Sequence, residues 1–378
     1  MGEDPLKLLI QPDNGIKPLL EALKKAKKRI RILIFRFDRV EIEKALVAAL
    51  GRGVDVQALI AYTNQGEEKN LRRLEMRLLA QGITVTRTAD DLVRYHGKML
   101  IIDDKALFLL GFNFTHMDID LSRSFGVAIS KPSVVKEAVR LFECDAKRRP
   151  YTKAKDELVV SPVNARRRLT EFITATKKRL LIYEMKISDR DFLKLLNKKI
   201  SDGVEVRVLT RASAKSASIP LRRLPNRLHL RAILRDGDSA FVGSQSLRKL
   251  ELEARREIGV IFRDKKIVNQ MEDVFEKDWK LSEPMVDQDQ VSSAISVPAK
   301  KVAKEVAKQI GIKPLVEQVV DKVMDGKEDS QFEPEEVAQT VREAFQDEVE
   351  GAVAQALKDV VAGSAQEEVK KPAEKGKQ

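Results

Sequence analysis

Apolar residues in the first 284 positions fall into two alternating patterns. Short, largely apolar runs, such as 30–37 and 180–187, are typical of strands that helices cover on both faces of a sheet. Between them lie segments such as 41–50 and 191–200, in which apolar residues recur at helical spacing. Because strands alternate with helices in this way, the sequence predicts an α/β fold.

The same order of elements occurs twice. Residues 27–37 recur at 177–187, 150 positions later, whereas residues 125–127 recur at 258–260, 133 positions later. Two constant offsets separated by one change of 17 residues indicate a duplication. The extra residues of the first half coincide with a predicted charged helix at 67–79. We therefore predict two homologous α/β/α halves, 1–150 and 151–284, related by pseudo-twofold symmetry and connected through about 146–160.

The character of the chain changes near residue 285. Narrow apolar stripes at helical spacing, interrupted at 311–314 and 325–327, predict a C-terminal tail of amphipathic α-helices over 285–365. Residues 366–378 are polar and are predicted to be disordered. Packing of these helices on the body or on one another is the favoured interpretation. Protein contacts, oligomerisation or binding to a membrane surface are the alternatives.

Charge distinguishes the same two regions. The net charge is +12, and residues 285–378 contain 13 basic and 19 acidic residues, so residues 1–284 carry +18. A basic body favours a polyanionic partner, either an anionic phospholipid or membrane surface or a nucleic acid. The chain has neither a run of roughly 18 apolar residues nor a secretory signal, and a single cysteine, Cys144, fits a reducing compartment. The sequence thus predicts a cytoplasmic protein that can associate with the inner face of the membrane.

Two short motifs carry the candidate chemistry. Each has a histidine, a basic residue two positions later and an aspartate seven positions after the histidine. The copies are His96, Lys98 and Asp103, and His229, Arg231 and Asp236. Residues i and i+2 of a strand share a face, so each histidine projects together with its cation. Each aspartate falls on the opposite face and is expected to bind neighbouring backbone donors. Two histidines across a phosphodiester can cleave it, one attacking phosphorus and the other transferring the leaving group's proton. No nucleotide-binding or metal-binding motif is present in the sequence, so neither cofactor nor metal is predicted.

With 111–115 after the first motif and 237–244 after the second, residues 6–284 resemble the phospholipase D superfamily. Within it, they resemble bacterial phospholipase D-like and cardiolipin synthase-like proteins. The resemblance implies one active site at the junction of the halves and a phosphodiesterase or phosphatidyltransferase that forms a phosphohistidine. It implies that His96 is the nucleophile and that His229 protonates the leaving alkoxide and later deprotonates water or an alcohol. It also implies that four side chains bind the phosphate: Lys98, Arg231, Asn113 and Ser244.

The two copies depart from the family pattern in different ways. Arg231 replaces the usual lysine, Gly111 stands where the first copy usually has serine, and Ser246 stands where the second usually has asparagine. In the family, an acidic residue near the last strand of a half orients a histidine. Glu257 has that position in the second half and Ser124 in the first, so the sequence groups Glu257 with the second motif. An active phospholipid enzyme is favoured, and a metal-independent nuclease and an inactive phosphodiester-binding scaffold are the alternatives.

Overall fold

The computed structural model describes residues 5–63, 68–211 and 219–285, which belong to one compact unit of residues 1–287. The predicted helical region 285–365, apart from Met285, and the predicted disordered tail 366–378 lie outside the described residues. The described residues confirm the predicted α/β fold with two homologous halves.

The first half follows the alternation expected from its apolar pattern. Its elements are β1 (Leu6–Gln11), α1 (Lys17–Lys25), β2 (Arg29–Ile34), α2 (Val40–Gly51), β3 (Asp55–Ile60), α3 (Glu68–Ala80), β4 (Thr84–Arg87), β5 (Arg94–Tyr95), β6 (Met99–Ile102), β7 (Ala106–Leu110), α4 (His116–Asp120), β8 (Ser122–Ile129) and α5 (Pro132–Ala146). Helix α3 is the predicted charged helix of the longer half. Helix α5 begins with Pro132, whose fixed φ suits the first helical turn.

The second half repeats this order. Its elements are β9 (Leu158–Val160), α6 (Ala165–Thr174), β10 (Arg179–Glu184), α7 (Arg190–Ser201), β11 (Glu205–Thr210), β12 (Leu221–Arg223), β13 (Arg227–Leu228), β14 (Arg231–Arg235), β15 (Ser239–Gly243), α8 (Lys249–Glu253), β16 (Arg255–Arg256), β17 (Ile258–Arg263), α9 (Lys265–Leu281) and β18 (Glu283–Pro284). Asp189 and Asp264 accept backbone N–H groups in the first turns of α7 and α9.

Each half has its own sheet, and the two sheets share one strand order. The first is β1-β8-β7-β6-β2-β3-β4, and the second is β9-β17-β15-β14-β10-β11-β12-β18. Strands β1 and β9 were not predicted from the sequence, and β9 lies within the predicted connection between the halves. Both pair antiparallel with the last long strand of their own half. Each pairs with a strand that lies roughly a hundred residues later in the chain. The local pattern of apolar residues therefore does not predict this pairing.

One apolar core lies between the sheets and contains side chains of both halves together with the inner faces of α5 and α9. Across it, the Phe125 and Tyr183 rings meet edge-on with centroids 5.5 Å apart. The outer face of the first sheet is covered by α1, α2 and α3, and that of the second by α6 and α7. The shared core therefore holds the halves against each other.

Short strands also cross between the halves. β5 of the first half pairs parallel with β16 of the second, and β13 of the second pairs parallel with β8 of the first. These two crossings lead directly into the two histidine motifs.

Candidate active site

Each motif histidine lies where a crossing strand ends and a strand of the main sheet begins. The His96 amide, between β5 and β6, donates to the Arg256 carbonyl at 2.7 Å. The His229 amide, between β13 and β14, donates to the Arg123 carbonyl at 3.1 Å. The backbone of each histidine is thus held by the opposite half.

The His96 ring is enclosed by a carboxylate, a cation and an aromatic ring. Its Nδ1 lies 2.8 Å from Glu257 Oε2, and Lys98 Nζ lies 2.8 Å from Nε2 and 3.0 Å from Nδ1. The Phe35 ring packs edge-on against it with centroids 4.4 Å apart. Grouping Glu257 with the second motif is therefore corrected, because its carboxylate serves the histidine of the first. The reason is the β5–β16 pairing, which brings the end of β16 beside His96.

The residue between histidine and cation packs into the core in both copies, as the strand argument predicts. A Cβ on Gly97 would lie 2.4 Å from Ile258 Cδ1 and 3.0 Å from Leu33 Cδ2. Leu230 is fully buried in the core between the sheets. Only glycine fits between the first histidine and Lys98 without displacing Ile258.

A carboxylate that the sequence analysis missed lies beside His229. Asp118 Oδ2 is 3.2 Å from His229 Nδ1, and Asp118 Oδ1 accepts from Arg227 Nη1 at 2.6 Å. Asp118 is 2% exposed and lies on α4, shortly after Asn113. Burial opposes its ionisation, but His229 and Arg227 hold the pKa of Asp118 well below its usual range.

The two motif cations are almost completely buried. Lys98 is 1% and Arg231 is 6% exposed. Arg231 Nε donates to Ser246 Oγ at 3.1 Å, and its buried Nη1 has no hydrogen-bond partner among the residues described. Burial lowers the pKa of Lys98 well below its ordinary value, partly opposed by Glu257, and Arg231 lowers it further. The cation of the second motif therefore lowers the pKa of the cation of the first.

Two predicted phosphate ligands have their donors engaged. Asn113 Nδ2 donates to Asp118 Oδ2 at 2.7 Å. Ser244 Oγ accepts the Ile258 amide at 3.1 Å and lies 3.4 Å from the Ile258 carbonyl. In this arrangement Asn113 positions Asp118, and Ser244 positions the strand that follows Glu257. Direct contacts of Asn113 and Ser244 with the phosphate, which the resemblance implies, stay a prediction.

The two motif aspartates bind backbone donors, as expected. Asp103 accepts the amides of Lys27, Lys28 and Arg29 at 2.6–3.2 Å. Asp236 accepts the corresponding amides of residues 177–179 at 2.7–2.9 Å. Each aspartate thus closes the turn that leads into the central strand of its sheet.

Further buried acids surround Arg231. Glu251 accepts from the Ser246 amide at 2.9 Å and from Arg255 Nη1 at 3.1 Å, and Glu184 accepts from the Leu247 amide at 2.9 Å. Burial raises the pKa of Glu184 to about 7, whereas neighbouring arginines lower that of Glu251 to about 2 despite its burial. The offset of 133 relates Glu251 to Asp118, and this repeat signal could have identified both from the sequence.

The electrostatic environments of the two histidines differ. Burial lowers the pKa of His96 well below its ordinary value, and Lys98 and Arg231 lower it further. Burial also lowers the pKa of His229, but the ionised Asp118 opposes that shift. Both rings are therefore neutral near pH 7, and at His229 the ionised Asp118 opposes part of the lowering.

Neither a membrane-spanning helix nor a metal cluster is found in the part of the chain that the structure describes. None of its helices is long and apolar enough to cross a membrane. No group of three or more histidine, cysteine, aspartate or glutamate side chains there could hold a metal ion.

Residues 19–146 and 169–279 match the protein family described as "Cardiolipin synthase, PLD-like domain". Phosphatidylserine synthase from Haemophilus influenzae Rd KW20 has a similar structure, with a TM-score of 0.61 and 12% identity over 83% of this chain and 95% of that chain. Polyphosphate kinase from Porphyromonas gingivalis also has a TM-score of 0.61, with 18% identity over 72% of this chain, which spans 50% of that protein. Nuc from Salmonella typhimurium, a phospholipase D family member, is 25% identical over 40% of this chain and 98% of that chain, with a TM-score of 0.35. No curated protein sequence matches the chain.

Proposed function

Because the chain belongs to the cardiolipin synthase, PLD-like domain family of the phospholipase D superfamily, we propose that it cleaves or exchanges the phosphodiester of a phospholipid through a phosphohistidine. Family membership supports a phosphodiester-acting enzyme of the phospholipase D type. The observation that carries the finer proposal is the pair of buried histidines, each with a carboxylate beside its Nδ1: Glu257 at 2.8 Å from His96 and Asp118 at 3.2 Å from His229.

In the proposed first step, His96 Nε2 attacks phosphorus. Glu257 accepts a hydrogen bond from Nδ1–H in this step and so keeps the ring proton on Nδ1. The lone pair of Nε2 is then the nucleophile. Lys98 Nζ, now 2.8 Å from Nε2, would move to a phosphate oxygen and free the nitrogen lone pair. Arg231, whose Nη1 has no hydrogen-bond partner in the described part of the chain, would bind a second oxygen.

In the same step the bond from phosphorus to the leaving oxygen breaks, and His229 donates its proton to that oxygen. Asp118 opposes the lowering of the pKa of His229, and the negative charge of the bound phosphodiester would raise that pKa further toward the protonated form that this role needs. In the second step, His229 takes a proton from water or an alcohol, whose oxygen attacks phosphorus and releases His96. Water gives hydrolysis, and an alcohol gives transphosphatidylation.

Exposed apolar side chains next to the site support a lipid substrate. Val40 and Leu121 are 56% and 39% exposed. Arg39 precedes Val40 and Asp120 precedes Leu121, and these two residues form an ion pair. The ion pair joins the two segments that carry the exposed side chains. Leu121 also follows Asp118 by three residues. Exposed apolar side chains on segments linked to Asp118 suit a substrate that carries acyl chains as well as an anionic phosphodiester.

A nuclease is the second candidate, favoured by the +18 charge of residues 1–284. To separate the two, the full-length protein is incubated with labelled phosphatidylglycerol vesicles and, separately, with labelled single-stranded DNA. We expect release or exchange of the lipid headgroup and intact DNA. DNA cleavage with intact lipid would establish the nuclease.

Role assignment is tested with labelled substrate and an acid-quenched search for phosphohistidine. His229→Ala should accumulate the intermediate, and His96→Ala should not form it. His116→Asn is the matched control, since this third histidine is exposed and pairs only with Asp38 and Asp120 in the contacts described. If the intermediate forms in His96→Ala instead, the two roles are reversed. If neither substrate is turned over by the wild type, the binding-scaffold alternative is favoured.

A further inference from the structure

An arginine of the second half links the His96 backbone to a helix of the first half. The carbonyl of Arg256 accepts the His96 amide at 2.7 Å. Its side chain contacts α5 and the residue after β9, with Nη2 3.3 Å from Asp145 Oδ1 and Nη1 donating to the Ser161 carbonyl at 3.0 Å. Asp145 is 3% and Arg256 is 5% exposed.

The second copy contains the same arrangement with the halves exchanged. The carbonyl of Arg123 accepts the His229 amide at 3.1 Å. Its Nε lies 2.9 Å from Asp278 Oδ2 on α9, and its Nη1 donates to the Gln11 carbonyl at 2.9 Å. Arg123 and Asp278 are related to Arg256 and Asp145 by the offset of 133 that relates the histidines. Both copies therefore connect a histidine amide, through an arginine of the other half, to the closing helix of the histidine's own half.

None of these four side chains is among the described partners of a histidine ring or a motif cation. Stability alone explains such buried pairs poorly, because desolvation of two charges offsets most of their attraction. The pairs do constrain the position of the backbone. The side chain of each arginine is bound by an aspartate and by a backbone carbonyl, so the arginine's own carbonyl is fixed in place. That carbonyl in turn fixes the adjacent histidine.

We propose that Asp145 and Asp278 are positioning residues, each of which orients one histidine through the intervening arginine: Asp145 through Arg256 for His96, and Asp278 through Arg123 for His229. The positional claim depends on the fold alone. Its kinetic consequence depends on the proposed function.

The two positions differ in their remaining contacts. Asp278 Oδ2 also accepts from Tyr183 Oη at 2.8 Å, whereas Asp145 Oδ2 is buried without a hydrogen-bond partner in the described part of the chain. Burial raises the pKa of Asp145 to about 6. The asparagine variant of either residue keeps the size of the side chain and removes its charge, so the arginine loses its ionic partner.

The direct test uses the full-length protein labelled with 15N only at histidine, because the chain contains three histidines. Amide hydrogen exchange is then followed separately at His96, His229 and the surface reference His116. Asp145→Asn should accelerate exchange at His96 by about tenfold and leave His229 unchanged. Asp278→Asn should do the reverse, so each variant is the matched control of the other.

Equal acceleration at all three amides, or no change at the histidine assigned to each aspartate, would overturn the proposal. If Asp145→Asn does not fold, Arg256→Lys is used instead, because it weakens the same contact with Asp145. It should likewise accelerate amide hydrogen exchange at His96 and leave His229 unchanged.

A kinetic readout separates positioning from general destabilisation. A p-nitrophenyl phosphodiester has a leaving group that needs little protonation, so it should restore much of the activity that Asp278→Asn loses on an alkyl phosphodiester. It should not restore Asp145→Asn, whose defect lies in nucleophilic attack. Equal recovery of both variants would contradict the assignment. A wild type without activity would refute the proposed function, while the exchange experiment would still decide the positional claim.

Discussion

Replacing Glu257 with glutamine tests the role of the carboxylate that contacts His96. Glutamine keeps the size of the side chain and an oxygen acceptor for His96 Nδ1, now 2.8 Å from Glu257 Oε2, but it removes the negative charge. The imidazole becomes positively charged as Nε2 attacks phosphorus. Loss of the carboxylate charge should therefore lower the rate of that step. Glu257 is fully buried behind the ring, and KM should change little.

The size of the expected decrease in kcat follows from the strength of the hydrogen bond between Glu257 and His96. A hydrogen bond to a charged group contributes about 1.5–3 kcal/mol, and about 1.36 kcal/mol corresponds to a factor of ten in rate. We therefore expect kcat for Glu257→Gln to fall by about 10- to 150-fold. The assay is steady-state hydrolysis of a short-chain phospholipid, with Glu157→Gln as control. Glu157 is a surface residue whose charge pairs with Lys131 at 3.0 Å.

The same change should affect stability in the opposite direction. Burial raises the pKa of Glu257 from 4.5 to about 7, so the folded protein binds this proton more tightly than the unfolded chain. Its contribution to the free energy of unfolding is complete below pH 4.5 and is lost as pH rises to about 7. Above pH 7 the wild type should therefore have lost up to about 3 kcal/mol that the variant does not lose. Denaturant unfolding at pH 5 and pH 8 measures this difference.

Unchanged kcat in Glu257→Gln would refute the orienting role of the carboxylate. A stability difference that does not depend on pH would refute the assigned ionisation.

Three further predictions concern the site and its supports. Inorganic phosphate should bind with proton uptake near pH 7, because its charge raises the lowered pKa of His229. Calorimetry in two buffers of different ionisation enthalpy measures this, and proton release would contradict it. Gly97→Ala should destabilise the fold by about 1–3 kcal/mol because its Cβ would meet Ile258. Gly51→Ala, which has open space at this position, should be neutral or stabilising in the same denaturant titration, and equal losses would refute the steric reasoning. Asp103→Ala should lower the melting temperature because three backbone amides lose their acceptor. Activity per folded molecule should be nearly retained, and loss of activity without loss of stability would indicate a direct role in the reaction.

Several features of the site were predictable because they depend on local pattern or on the repeat. Alternation within a strand predicted that His96 projects together with Lys98, and the opposite-face position of Asp103 predicted its backbone contacts. The offset of 133 also relates Asp118 to Glu251, so the repeat in the sequence was sufficient to identify both acids. The donor groups of Asn113 and Ser244 were not predictable, since their partners are determined by side-chain packing.

The duplication, the order of the helices and of the strands other than β1 and β9, and the presence of one histidine and one cation in each half follow from the amino-acid sequence alone. These features are encoded in spacing, which is local. The contact of Glu257 with His96 of the other half, and the position of Asp118 beside His229, become apparent only once the chain is folded. Those partnerships arise from the parallel pairing of β5 with β16 and of β13 with β8. That pairing exists because the two sheets bury a common apolar core. Spacing along the chain does not report which strand of one half will meet which strand of the other.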